Sequence, residues 1–211
     1  MSDTSSTTPH DTAAPGTDAA GDARSLEVMV RNLARTAHAV LDLSAEPAAL
    51  LRALGEDIPA EAVAAVSPSA EDGAAADLES RGIRPVAHDP SRPGASLPFA
   101  EDRFDLVVSR GRDVDPEQVA RILTPGGHVL IHRTITEDAA DADPVDHLQN
   151  CERGLVQAGL RIVRAETHHE ETTDGGREAR FVVLARAPEA DTPAGLDRSA
   201  WAQDAPAVPE V

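Results

Sequence analysis

The sequence predicts an α/β fold built on a doubly wound sheet, with five parallel strands and a C-terminal antiparallel hairpin. Three observations carry that prediction. Short apolar runs alternate with helix-patterned segments between residues 39 and 133. Several of those runs are apolar at nearly every position, as in strands covered on both faces. The last third then changes to a longer helix and two strands around a Gly-Gly turn.

The first strand is "AVLDLS" at residues 39–44, and the helix after it spans 46–54 with Leu50, Leu51 and Leu54 on one stripe. "AVAAVS" at 62–67 gives the second strand, followed by an Ala-rich helix at 70–81 that carries Leu78. The third strand is "IRPVAHD" at 83–89. Its crossover, "DPSRPGASLPFAED" at 89–102, holds three prolines and is expected to be loop, because proline removes donors that a helix needs. "FDLVVSR" at 104–110 and "HVLIHR" at 128–133 are the fourth and fifth strands, and residues 115–123 between them set Val119, Ile122 and Leu123 on one stripe. Gly55, Gly82 and the pair Gly126-Gly127 stand where helices stop. A helix at 144–158 leads through Gly159 into "LRIVRAETHHEE", the turn "TTDGGRE" and "ARFVVLARAP". Alternating elements with short connections imply a mostly parallel sheet.

At 211 residues and 41% hydrophobic composition, the chain has enough apolar surface for one core with tails. Residues 1–24 and 189–211 lack periodicity and are rich in Ala, Asp, Pro, Ser and Thr, so both are expected to be disordered tails around a domain at 25–188. Trp201 falls in the second tail and is expected to be partly exposed. The 37 acidic residues face 19 basic ones, all Arg, for a net charge of -18. Such a surface repels duplex nucleic acid and anionic membranes, and most of its charge reads as solvated.

The single Cys151 excludes an internal disulfide framework and a Cys-based zinc cluster, and reads as an inert thiol in its helix. His128 and His132 share a strand face, and "HHEE" at 168–171 gathers metal-capable groups, but neither has companions at a known ligand spacing, so no metal is expected. There is no G-x-S-x-G elbow and no P-loop. The start has no basic region followed by an apolar run, and no apolar stretch is long enough to span a bilayer, so the expected location is cytoplasmic.

The phrases "LPFAEDRFDLVVSR" (97–110), "DPEQVARILTPGGHVLI" (115–131) and "AGLRIVRAE" (158–166) carry a resemblance. In that order, with the terminal hairpin, the chain resembles the class I S-adenosylmethionine-dependent methyltransferase superfamily, of the methyltransferase type 11 kind, over residues 26–188. The resemblance implies a Rossmann-like methyltransferase fold with S-adenosylmethionine at the carboxyl ends of strands one to four. The phrases themselves also read as scaffold: Leu97 and Phe104 pack beneath the sheet edge, Asp105 caps or pairs locally, and "TPGG" ends a helix.

Four places bear on the cofactor. The family pattern D-x-G-x-G-x-G after the first strand aligns with Asp42, Ser44, Glu46 and Ala48. Asp42 is kept, while the glycine places hold Ser44, Glu46 and Ala48; Pro47 lies among them. The same residues read as a strand-to-helix turn, with Ser44 as N-cap and Glu46 and Pro47 in the first helical turn. At the end of the second strand, Ser67 stands where the family has the ribose-binding acid, and a hydroxyl lacks that charge-assisted pair of bonds. After the third strand, Asp89 matches the acid that accepts from the adenine amino group, with His88 beside the ring. At the end of the fourth, Ser109 reaches the cofactor region, and Arg110 either orients an acidic substrate or pairs with a local carboxylate.

Two functions follow. One is methyl transfer to an unidentified small molecule by in-line positioning. The other is a descendant that kept the scaffold, lost the cofactor and serves as a regulatory partner, with a protein partner or homodimer implied.

Overall fold

The computed structural model describes residues 18–46, 48–54, 57–67, 72–88, 96–136, 143–171 and 177–190. Within them the elements run α1 (Asp18–Ala34), β1 (Ala39–Asp42), α2 (Ala49–Leu54), β2 (Glu61–Val66), α3 (Asp72–Ser80), β3 (Ile83–Ala87), β4 (Phe104–Arg110), α4 (Pro116–Ile122), β5 (Leu123–Thr136), α5 (Pro144–Gln157), β6 (Arg161–Glu171) and β7 (Arg177–Arg186). The strands form a seven-stranded sheet in the order β3-β2-β1-β4-β5-β7-β6. Strands β1 to β5 pair in parallel, and β7 runs antiparallel to both β5 and β6. This is the expected sheet of five parallel strands closed by a hairpin; the Gly-Gly turn itself lies outside the described residues.

Alternation along the strands divides the core in two. Leu41, Val63, Val107 and Val129 join Val119, Ile122 and Leu155 on the side of α4 and α5. Val40, Ala64, Leu106 and Leu130 join Val30, Leu51 and Leu78 on the side of α1, α2 and α3. Each buried Val or Leu contributes about 1.5–3 kcal/mol relative to exposure. The near-continuous apolar runs are therefore what a sheet covered on both faces demands.

α1 corrects the expectation for the first tail. The helix begins at Asp18, so residues 18–24 are helical, not tail. Leu26, Val30 and Ala34 recur every fourth position and are buried against the sheet and α2. With that stripe anchoring the later turns, an Ala-containing run extends the helix backwards at little further entropy loss. At the other end, Glu189 pairs with Arg186, which ties the first residue of the expected second tail to β7. Residues 1–17 and 191–211, Trp201 included, lie outside the described residues.

The phrases that carried the resemblance make scaffold. Arg121 of α4 donates to the carbonyls of Phe99 and Leu97 at 2.7 and 2.9 Å. Phe99 meets Phe104 edge-on, with ring centroids 5.0 Å apart. In "TPGG", a Cβ on Gly127 would lie 2.9 Å from the Thr124 carbonyl oxygen and 3.1 Å from that of Phe104, so the close backbone approach requires glycine. Described residues 96–103 of the third crossover contain no helix, as the prolines imply.

Asp105 clasps the entry to β1. Its Oδ2 accepts from the backbone N–H of His38 at 2.8 Å and of Ala39 at 2.9 Å, and its Oδ1 accepts from the Thr124 hydroxyl at 3.2 Å. Partial burial alone would raise its pKa, but the bonds from Ala39, His38 and Thr124 outweigh it and hold the carboxyl below its ordinary value. A depressed folded-state pKa contributes stability above the unfolded value, and that stability is lost as pH falls through the folded one. Asp105→Asn is accordingly expected to destabilise the protein by about 1–2 kcal/mol at neutral pH. Urea unfolding of both proteins should show the gap closing below about pH 4; a gap that persists there would remove the carboxylate from this role.

Candidate functional site

An open doubly wound sheet binds ligands beyond its strand carboxyl ends, where the strand order reverses. Here that place lies between β1, which ends in Asp42, and β4, which ends in Arg110. Asp42 is completely buried. Its Oδ1 accepts from the Ser44 N–H at 2.8 Å and its Oδ2 from the Leu51 N–H of α2 at 3.4 Å. Burial pushes its pKa above the ordinary carboxylate value, against hydrogen bonds from Ser44, Leu51 and Leu50 that pull it down.

The turn after β1 continues alongside β4. Leu43 N–H donates to the Val108 carbonyl and Ala45 N–H to the Arg110 carbonyl, both at 2.8 Å. The Arg110 N–H returns a bond to Ser44 Oγ at 3.1 Å. Ser44 is therefore not the N-cap of α2, which starts only at Ala49. Asp42, reaching over from the strand end, accepts at the start of that helix instead, and the Ser44 hydroxyl bonds both to Asp42 and across to the Arg110 N–H of β4.

Glu46 is three-quarters exposed and pairs with Arg52 of α2 at 3.7 Å, while Arg52 also pairs with Asp77 of α3 at 3.2 Å. Its carboxylate is drawn out of the turn rather than into it. Ala48 is buried with φ +56°, in the left-handed region. The third glycine place thus keeps the backbone conformation that glycine adopts most readily while carrying a methyl group. Pro47 lies outside the described residues.

Ser67 and His88 follow β2 and β3, and both are half-buried. The His88 N–H donates to the Val66 carbonyl at 2.9 Å, which holds the two strand ends side by side. Asp89 lies outside the described residues. Ser109 is completely buried and its hydroxyl donates to the Arg112 carbonyl at 3.2 Å, whereas the Arg110 side chain is exposed. The structure thus brings Asp42, Ser44 and Arg110 into one bonded group, sets Ser67 and His88 at neighbouring strand ends, and turns Ser109 inward. The Ser44 bridge has no local signal in the sequence, since its partner is 66 residues away.

Elsewhere, burial pushes the Cys151 thiol up to about 11, so it is protonated at neutral pH. No group of three or more His, Cys, Asp or Glu among the described residues stands together as a metal site. No described helix is long and apolar enough to cross a membrane. A concavity of about 190 Å³ at the opposite end of the sheet is lined by Leu33, Thr36, Asp105, Thr124 and His128 among others. Its carboxylate, Asp105, is already committed to three donors.

No protein-family model and no curated protein matches the chain. Solved structures do. The 4+2 cyclase SpnF superposes with a TM-score of 0.61 at 14% identity, covering 79% of this chain and 81% of that one. A candidate methyltransferase from Bacillus halodurans C-125 gives 0.56 at 16% identity, covering 78% and 99%. The N-methyltransferase NodS from Bradyrhizobium japonicum WM9 gives 0.54 at 15% identity, covering 82% and 99%. The chain has the class I methyltransferase fold. Within the methyltransferase fold, the β1 turn is where this chain's side chains depart from the glycine pattern, and the cyclase shows that the same fold carries more than one chemistry.

Two outcomes test the geometry of the turn. Ala48→Gly relieves a left-handed residue of about 1 kcal/mol of strain but loses a buried methyl and stiffens the unfolded chain less, so it should stay within about 0.5 kcal/mol of the parent. Ala64→Gly in β2, buried without such strain, should cost well over 1 kcal/mol in the same urea titration. For Asp42, a folded-state pKa raised by burial means that wild-type stability falls as pH rises above the ordinary value of 3.8. Asp42→Asn lacks that slope, so its stability relative to wild type should increase from about pH 4 toward neutrality; parallel pH profiles would refute the buried ionisable group.

Proposed function

We propose that the chain binds S-adenosylmethionine across the carboxyl ends of β1, β2, β3 and β4 and catalyses methyl transfer to a small molecule. The observation that carries this reading is the course of the β1 turn. Ala48 retains the left-handed backbone at a glycine place, and Arg52 holds the Glu46 carboxylate to the side of α2 and α3. One of the three glycine places thus has a left-handed backbone, and the Glu46 carboxylate is paired on the side of α2. In that sense the residues present fit the group.

Ser67 would offer a hydroxyl to the ribose, and His88, at the end of β3, would flank the adenine. Arg110, exposed at the end of β4, is the cation suited to an acidic acceptor. When bound, the cofactor supplies an electrophilic methyl group on a sulfonium. The chain's own residues contribute alignment and exclusion of water, since direct in-line displacement depends chiefly on positioning and needs no fixed base. The acidic surface matches a small-molecule acceptor better than a nucleic acid.

A second reading rests on a different observation. Asp42, Ser44 and Ser109 are all completely covered, as suits a scaffold that has lost its cofactor and serves as a regulatory or dimer partner. Calorimetric titration with S-adenosylmethionine and S-adenosylhomocysteine separates the two. Micromolar binding of either, with a matching rise in unfolding temperature, is expected; no heat and no thermal shift at millimolar ligand would sink the enzyme and leave the scaffold.

A further inference from the structure

The turn after β1 is tied to the end of β4 by three hydrogen bonds, and two of them would form whatever the side chains were. Leu43 N–H to Val108 O and Ala45 N–H to Arg110 O continue the backbone ladder. The third needs a hydroxyl: the Arg110 N–H donates to Ser44 Oγ at 3.1 Å. Ser44 also gives its own N–H to Asp42 Oδ1 at 2.8 Å. One residue thus satisfies the carboxylate that ends β1 and the N–H at the end of β4, the two strands that flank the reversal of strand order. Both Asp42 and Ser44 are sealed from solvent.

A glycine at this place would leave the Arg110 N–H to water or to a ligand. Serine satisfies it internally, so any ligand that settles between the two strand ends must first displace an intramolecular bond.

We propose that Ser44 is a latch: its hydroxyl occupies the Arg110 N–H at the end of β4, so that a ligand using that N–H between β1 and β4 must first open this bond. The inference rests on the cofactor reading above. Ser44 acts through the turn and Arg110, as a positioning residue. Its effect is on affinity, because the binding-competent conformation is only a fraction of the ligand-free population.

The test compares the full-length chain with Ser44→Ala and Ser44→Gly by hydrogen exchange at the Arg110 amide and by calorimetric titration with S-adenosylhomocysteine. Ser44→Ala removes the hydroxyl without adding glycine's backbone freedom, so it remains informative if the glycine variant folds poorly. Loss of the hydroxyl should speed exchange at Arg110 about five- to tenfold in both variants, with the Asp105 clasp at the far end unchanged. Both variants should bind S-adenosylhomocysteine about five- to tenfold more tightly than wild type. A merely structural serine would give variants that unfold more easily and bind no better.

Unchanged exchange at Arg110 in folded variants overturns the latch. Wild type that binds, with variants no tighter, overturns it too and leaves the cofactor reading standing. Binding by the variants alone supports the latch and refutes cofactor use by the wild-type chain. Silence from all three proteins, even with exchange accelerated, overturns the gate together with the cofactor reading.

Discussion

Asp42 is a carboxylate with no exposed surface, and most of the turn that follows it is arranged around that fact. β1 is paired on both edges and covered on both faces, so donors can reach its last side chain only from beyond the strand end. An unsatisfied buried carboxylate is far more costly than the strain of a single residue. The chain therefore folds back so that the Ser44 N–H and the Leu51 N–H of α2 point at it. Three features follow together. α2 starts at Ala49, three residues after the expected start at 46, Ala48 takes a positive φ to bring the helix round, and Glu46 is left on the outside where Arg52 can reach it.

Much of the scaffold was legible because it is written in local terms. The apolar runs of β1, β2, β4 and β5 are nearly unbroken, and buried strands have no other composition. "TPGG" marks the passage from α4 into β5, and Gly127 is required because a Cβ there would lie 2.9 and 3.1 Å from two carbonyl oxygens. α1 was less visible. Its stripe of Leu26, Val30 and Ala34 is narrow and follows directly on a segment of tail-like composition, so the sequence reading names no helix before β1. Ser44 was misassigned for another reason. A serine before a helix is an N-cap by default, and only the three-dimensional approach of Asp42 and of Arg110, distant in sequence, changes its role.

The places of the candidate residues at the strand ends were legible, but their surroundings were not. The places after β1, β2, β3 and β4 can be counted along the chain once the strands are known. Whether a side chain at such a place faces a ligand or the protein depends on competition among donors that no local pattern records. Ser109 lies near the predicted strand end and is turned inward to Arg112, while Arg110, the last residue of β4, is exposed where the strand leaves the sheet.

The same hydroxyl serves stability and opposes access. Glycines in a ligand turn leave N–H groups unsatisfied and raise backbone entropy, so such a turn is poorly stable until something binds it. Replacing them with Ser44 and Ala48 gives a turn that is bonded and buried without help. That exchange removes the side-chain pattern by which the fold's ligand site is usually recognised, yet it leaves the strand ends, the reversal of strand order and the left-handed residue in place. A chain altered in this way need not change its fold to regain or to lose a ligand. The bond between Ser44 and Arg110, with a net strength of about 1 kcal/mol, is small beside the burial of the sheet. Fold and local bonding are thus governed by energies of very different size, and the fold is shared with SpnF at 14% identity.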